Sequence, residues 1–191
     1  MKTATVTLEG ISPYSQGKHY TKEQFPKLDE GKESDNAYEV RTWRERMHYD
    51  ENDIVFIPPM AFKNCLTSAA SFLGEKIVGK RGATYTKHFT AGVLVLEGAT
   101  LGIKRSDVKG QWLYLPSDGK RGGAKRVDKC FGVIPTGWKA SVVFHILDDN
   151  ITEKVFKRHI DEAGNFIGLG VFRPQSNGFY GRFKVTSLKW E

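Results

Sequence analysis

Two stretches with the period of an α-helix, residues 59–74 and 151–167, each lie between stretches that read as β-strands. That order leaves few ways for the chain to fold. Residues 3–9 place Ala4, Val6 and Leu8 on one face and Thr3, Thr5, Thr7 and Glu9 on the other. Residues 138–147 place Trp138, Ala140, Val142, Phe144 and Ile146 on one face in the same way. Between them, I-V-F-I (54–57) reads as a short strand stopped by Pro58-Pro59, a pair tolerated in the first turn of a helix. Phe62, Cys65, Leu66, Ala69, Phe72 and Leu73 then recur at helical spacing and predict a buried stripe. The run G-V-L-V-L-E-G (92–98) predicts a strand. Asn150, with Glu153 three residues on, resembles a capping box for a second helix whose stripe is Val155, Phe156, Ile160, Ala163 and Ile167. Residues 179–188 predict the last strand, with Tyr180, Arg182, Lys184 and Thr186 on its aromatic and basic face.

With intervening segments set aside, the order is β-α-β-β-α-β. This predicts an α+β, ferredoxin-like (RRM-like) sheet with two helices on one face and residues 3–9 and 138–147 as central strands. A single domain over residues 1–191 accommodates it, with a polar insertion at about 14–40 and a basic finger at about 104–134. The later part of the insertion, residues 21–39, carries three Lys against six Asp or Glu and reads as exposed and mobile. After it, R-T-W-R-E-R-M-H-Y (41–49) is expected as a strand with Arg44, Arg46 and His48 on one face. In the finger, strands at 111–115 and 130–134 bracket a glycine-containing loop with five basic residues, Lys120, Arg121, Lys125, Arg126 and Lys129, against Asp118 and Asp128. Such a hairpin tip suits a grip on phosphates.

Lys and Arg number 29 against 22 Asp and Glu, a formal charge of +7 that favours an anionic partner. The sequence has no apolar run of the ~18 residues that a membrane span needs, and its first residues alternate where a signal peptide would be apolar. A cytoplasmic protein without a membrane partner is expected. Cys65 and Cys130 are too few and too scattered for a disulfide framework or a zinc site.

The segment G-L-G-V-F-R-P-Q-S-N-G-F-Y-G-R-F-K (168–184) sits where the last helix gives way to the final strand. Its glycines admit a close backbone approach, Arg173, Arg182 and Lys184 supply charge, and Phe172, Phe179 and Tyr180 supply flat faces. That mixture suits a phosphate–sugar–base polymer.

Residues 54–70, I-V-F-I-P-P-M-A-F-K-N-C-L-T-S-A-A, and residues 168–185 resemble two segments of the RAMP superfamily of CRISPR-associated RNA-binding proteins. These are a strand ending at proline before a lysine-bearing helix, and a C-terminal glycine-rich loop ending in G-x-G-R and a strand. The resemblance implies a ferredoxin-like fold, single-stranded RNA along the glycine-rich loop and a flexible basic finger. A small stand-alone or phage-encoded relative of the CRISPR RNA-binding backbone subunit fits the length. By that similarity Lys63, Arg173, Tyr180 and Arg182 are contact residues. Charge clustering adds Arg81, Lys87, Lys120, Arg121, Lys125, Arg126 and Lys184.

Three functions stay open at this stage. The favoured one is sequence-tolerant binding of single-stranded nucleic acid, RNA ahead of DNA, with the protein repeating along the strand or joining an RNA-guided complex. The second is a metal-independent endoribonuclease, for which His19 with Tyr14, Lys18 and Tyr20, then His88 with Tyr85 and Lys87, have the right chemistry in sequence. The third is an interaction or decoy protein that turns its basic surface to an acidic protein face. No residue is assigned as catalytic, and neither a cofactor nor a metal is expected, because no phosphate-loop, nucleophile-elbow or dinucleotide fingerprint is present.

Overall fold

The computed structural model describes residues 1–21, 23–28, 31–117 and 125–191. Its central element is a four-stranded antiparallel sheet in which β1 (Lys2–Gly10) lies between β8 (Lys139–Ile146) and β9 (Phe183–Trp190), with β4 (Val93–Leu94) at the far edge of β8. The alternation read from sequence sets the faces. Ala4, Val6 and Leu8 of β1 and Ala140, Val142, Phe144 and Ile146 of β8 are buried, while Thr3, Thr5, Thr7, Ser141 and Val143 lie on the opposite face.

On the buried face pack α2 (Pro59–Leu73) and α4 (Glu153–Glu162). The Phe144 ring meets Phe62 of α2 at 6.5 Å and Phe156 of α4 at 5.2 Å, both edge-to-face, so the two helices share one core. Pro58 and Pro59 start α2 as expected, and Gly74 in the left-handed region ends it. Thr152 caps α4 in place of Asn150, its side chain accepting the Val155 N–H. Residues 163–167 then widen into a π-helical turn.

Several elements differ from the sequence reading. Of the strand expected at 92–98 only Val93–Leu94 forms, directly after α3 (Thr86–Gly92), which takes Gly92 as its last residue. The strand that follows, β5 (Ala99–Lys104), pairs with β3 (Ile54–Ile57) in a separate two-stranded sheet. The strand expected at 41–49 is instead the end of α1 (Asp35–Thr42) and a 3-10 turn over Trp43–Arg46. Ser34 caps α1 through the Ala37 N–H at 3.1 Å, and Glu39, Thr42 and Trp43 fall on one buried side at helical spacing. The described residues among 21–38 are exposed or half-buried as expected, and Glu39, 1% exposed, is the exception. The last strand begins at Phe183 and not at residue 179, and Phe72 is exposed and not part of the buried stripe.

A second sheet joins β2 (Tyr14–Ser15) to the hairpin of β6 (Lys109–Pro116) and β7 (Arg126–Ile134). Among the described residues, no helix is long and apolar enough to cross a membrane.

Candidate nucleic-acid interface

A cleft of about 220 Å³ opens between the first turns of α2 and the glycine-rich loop. Pro58, Ala61, Asn64 and Cys65 form its helical wall. Gly168, Gly170, Val171 and Arg173 form the opposite wall, and Tyr14, Gln16, Gly17 and His48 form its floor and rim. The first turn of α2 has no side-chain cap, Pro59 has no N–H and the Ala61 N–H donates to the Pro58 carbonyl at 3.0 Å. The helix therefore contributes its positive dipole end to the cleft more than a row of free N–H groups. Arg173 adds a full charge, held in place by its own Nη1 donating to the Gly170 carbonyl at 3.2 Å.

Three of the titratable side chains lining the cleft are held in their neutral forms. Burial pushes the Cys65 thiol up to about 12, which keeps it protonated. Burial likewise raises the Tyr14 phenol far above its ordinary value. Burial, helped by the Lys18 ammonium, holds the His48 imidazole below its usual range, so near pH 7 it is a neutral hydrogen-bonding ring.

The glycines serve the fold more than an approaching ligand. A Cβ on Gly170 would lie 2.0 Å from the Ser15 carbonyl oxygen, and one on Gly181 would lie 1.9 Å from that of Leu169. Both residues have positive φ, so the loop closes on the protein's own backbone. Through Ser15 it also reaches β7, because Val171 donates to the Ser15 carbonyl while Ser15 pairs with Val133. Phe131 of β7 packs edge-on against Phe172 at 4.9 Å, and Tyr180 donates to Gln111 of β6 at 2.6 Å. The base of the basic hairpin is thus fastened to the glycine-rich loop.

The acidic insertion lies along the same hairpin. Glu39 accepts from both terminal guanidinium nitrogens of Arg46, from the Cys130 N–H at 2.8 Å and from Lys129 at 3.1 Å. Burial by itself pushes the Glu39 carboxyl up. The Arg46 hydrogen bonds, the Cys130 N–H and Lys129 outweigh it and leave the carboxyl below its ordinary range.

The residues singled out from sequence fall in different places. Arg173 lines the cleft. Lys63 turns its ammonium to the carbonyls of Phe89, Thr90 and Val93, at 2.6, 2.7 and 2.5 Å, closing the end of α3. Arg182 donates to the Asn165 carbonyl at 2.6 Å, and Lys184 pairs with Glu9 at 3.2 Å. Tyr180 is only 9% exposed, and the exposed ring of that segment is Phe179. Lys125 and Arg126 are exposed at the outer end of the hairpin, and Lys120 and Arg121 lie outside the described residues.

Arg81 and Lys87 are exposed at the other end of the sheet. The start of β8 pairs with Glu9 near the glycine-rich loop, and its end pairs with Lys2 and Val93 near α3. His88 sits at that far end, its Nδ1 on Asp148, whose other oxygen holds Asn150 at 2.7 Å. His19 is exposed. Sequence reading missed His48 and Gln16, which flank the cleft from segments that read as strand and insertion. Only the strand-stop at Pro58 pointed to where they converge.

No family model matches the chain, and no curated protein matches it. Among solved structures it is similar to a chain of the cryo-EM structure of the Type III-B Cmr-beta bound to cognate target RNA, with a TM-score of 0.55 and 15% identity, covering 99% of this chain and 60% of that one. It is also similar to Cmr6 from Pyrococcus furiosus in its crystal structure, with a TM-score of 0.51 and 14% identity, covering 97% of this chain and 99% of that one. The chain therefore spans only 60% of the length of the first of these. At such identities the shared property is the fold, an α+β arrangement of antiparallel sheets and packed helices.

Proposed function

We propose that this protein binds single-stranded RNA as a subunit of a CRISPR-type RNA-guided assembly. In this reading the four-stranded sheet is a ferredoxin-like, RRM-like unit that serves as scaffold, and the RNA backbone crosses the cleft between α2 and the glycine-rich loop. The observation that carries it is the convergence of an uncapped helix start and the Arg173 guanidinium on one cleft. The hairpin bearing Lys125 and Arg126 is anchored beside that cleft through β2 and Phe131–Phe172. One of the two similar solved structures holds an RNA, which favours RNA as the polymer.

The open sheet face is a poor alternative track. On β1 and β8 it presents Thr3, Thr5, Thr7, Ser141 and Val143, with the half-buried His145 as the one ring on these two strands that could stack on a base. The reading is one of binding, because His88 with its Asp148 partner sits at the other end of the sheet and His19 is not among the residues lining the cleft. Ultraviolet cross-linking to a single-stranded RNA, followed by peptide mass spectrometry, tests this. Cross-links in residues 168–182, or in the peptide containing His48, are expected. Cross-links confined to residues 76–90 would contradict the placement.

A further inference from the structure

Phe72 and Phe166 stack on each other at the surface, with ring centroids 5.2 Å apart and planes 29° from parallel. They remain 60% and 48% exposed. Two such rings left in water on the helix-bearing side of the molecule have no role in the core. The π-helical turn explains how Phe166 comes to be there: widening residues 163–167 carries Ile167 inward, where it is buried, and leaves Phe166 outside. Phe72, on the last turn of α2, meets it from the other side.

The rings border a hollow of about 630 Å³ whose remaining walls include Thr67, Ser68, Ser71 and Gln175. Flat apolar faces ringed by hydroxyls and an amide, with no carboxylate in the lining, match the face and the edge of a nucleobase. An aliphatic protein segment seated there would leave those polar groups without partners. The hollow also continues the RNA cleft. Asn64 and Cys65 line the cleft, and Thr67 and Ser68 on the next turn of the same helix line the hollow. Arg173 lines the cleft while its Nε donates to Gln175 of the hollow at 3.2 Å.

We infer that the Phe72–Phe166 pair is a stacking platform for one base of the RNA strand whose backbone lies in the neighbouring cleft. Ser68, Ser71 and Gln175 are placed to hydrogen-bond the edge of that base. This rests on the RNA-binding reading above and gives it a defined base subsite. Stacking accepts any base face, so the subsite holds a nucleotide without demanding a sequence.

The test uses oligouridine carrying a single 2-aminopurine, moved along the strand, and a label at its end. Anisotropy of the label reports binding, and quenching of the 2-aminopurine reports stacking. Wild-type protein is expected to quench strongly at one position in the bound strand. Phe166→Ala and Phe72→Ala are each expected to abolish that quenching and to weaken binding by roughly 5- to 100-fold, the range seen when a stacking aromatic is truncated. Phe166→Leu keeps apolar bulk and is expected to lose quenching as well, while circular dichroism and the urea midpoint verify that each variant folds. Equal affinity and equal quenching in all three variants would overturn the platform and leave the RNA-binding reading standing. Absence of binding by wild type would overturn both. Self-association of wild type in sedimentation, abolished by Phe166→Ala with RNA affinity unchanged, would assign the rings to a second copy of the chain and also overturn the platform.

Discussion

The carbonyl oxygen of Ser15 occupies the space that a side chain on Gly170 would need, 2.0 Å from the Cβ position, while accepting the Val171 N–H at 2.9 Å. Strand β2, the glycine-rich loop and the base of the hairpin are therefore fastened at one point. Gly170→Ala combines a left-handed backbone with a backbone collision, so a loss of about 2–4 kcal/mol is expected, read as a lower urea midpoint at unchanged slope.

Glu39→Gln leaves Arg46 and Lys129 without their shared carboxylate at a site only 1% exposed. A destabilisation of about 3–5 kcal/mol is expected in chemical unfolding, because the remaining guanidinium stays partly buried. The depressed carboxyl also sets an acid limit. Its contribution is fully present above the unfolded value near 4.3 and is lost as pH falls through the lower folded value, so the wild type should lose stability steeply below about pH 4 and the variant less so.

His159 behaves with the same sign for a different reason. It is 0% exposed, stacked on Phe89 at 4.3 Å and edge-on to Tyr85, with Nδ1 against the Val155 carbonyl and Nε2 without a partner. Burial holds its pKa down, although the Val155 carbonyl and Glu75 pull it up and Arg158 opposes them. The unfolded chain therefore takes up a proton below about pH 6.5 that the folded chain resists, and stability falls with pH by at most about 1.4 kcal/mol per unit for this group. His159→Phe is expected to flatten the slope of the urea midpoint between pH 7 and the lower folded pKa. His48, whose pKa is lowered as well, contributes a slope of the same sign that remains in the variant.

Lys63 closes the end of α3 through three carbonyls. Lys63→Met strands those acceptors, and a loss of about 1–3 kcal/mol is expected, with amide exchange in residues 86–94 accelerating ahead of the rest of the sheet.

The parts of the fold that could be read in the sequence are those where a single face decides the outcome. Ala4, Val6 and Leu8, and Ala140 through Ile146, alternate because one side of their sheet is covered. The α1 segment hid its period because the residues on its buried side are Glu39, Thr42 and Trp43, two of them polar, and burial there depends on a distant Lys129 and Cys130 N–H. Phe72 fitted the stripe of α2 by spacing, but the neighbour that meets it is the exposed Phe166 on a π turn, which no local pattern announces. For the site, Arg173 and the start of α2 were legible from the proline stop and the glycine-rich segment. His48 and Gln16 were not, since tertiary folding alone brings them to the cleft.

The most direct measurement is the affinity for a labelled single-stranded RNA as a function of salt, for wild type and for Arg173→Ala. The account predicts a linear fall of log K with log salt, with a slope of about −0.7 for each phosphate neutralised and at least two phosphates engaged. It predicts that Arg173→Ala binds more weakly and lowers the magnitude of that slope by about 0.7. A flat salt profile, or an Arg173→Ala curve that overlays wild type, would contradict it.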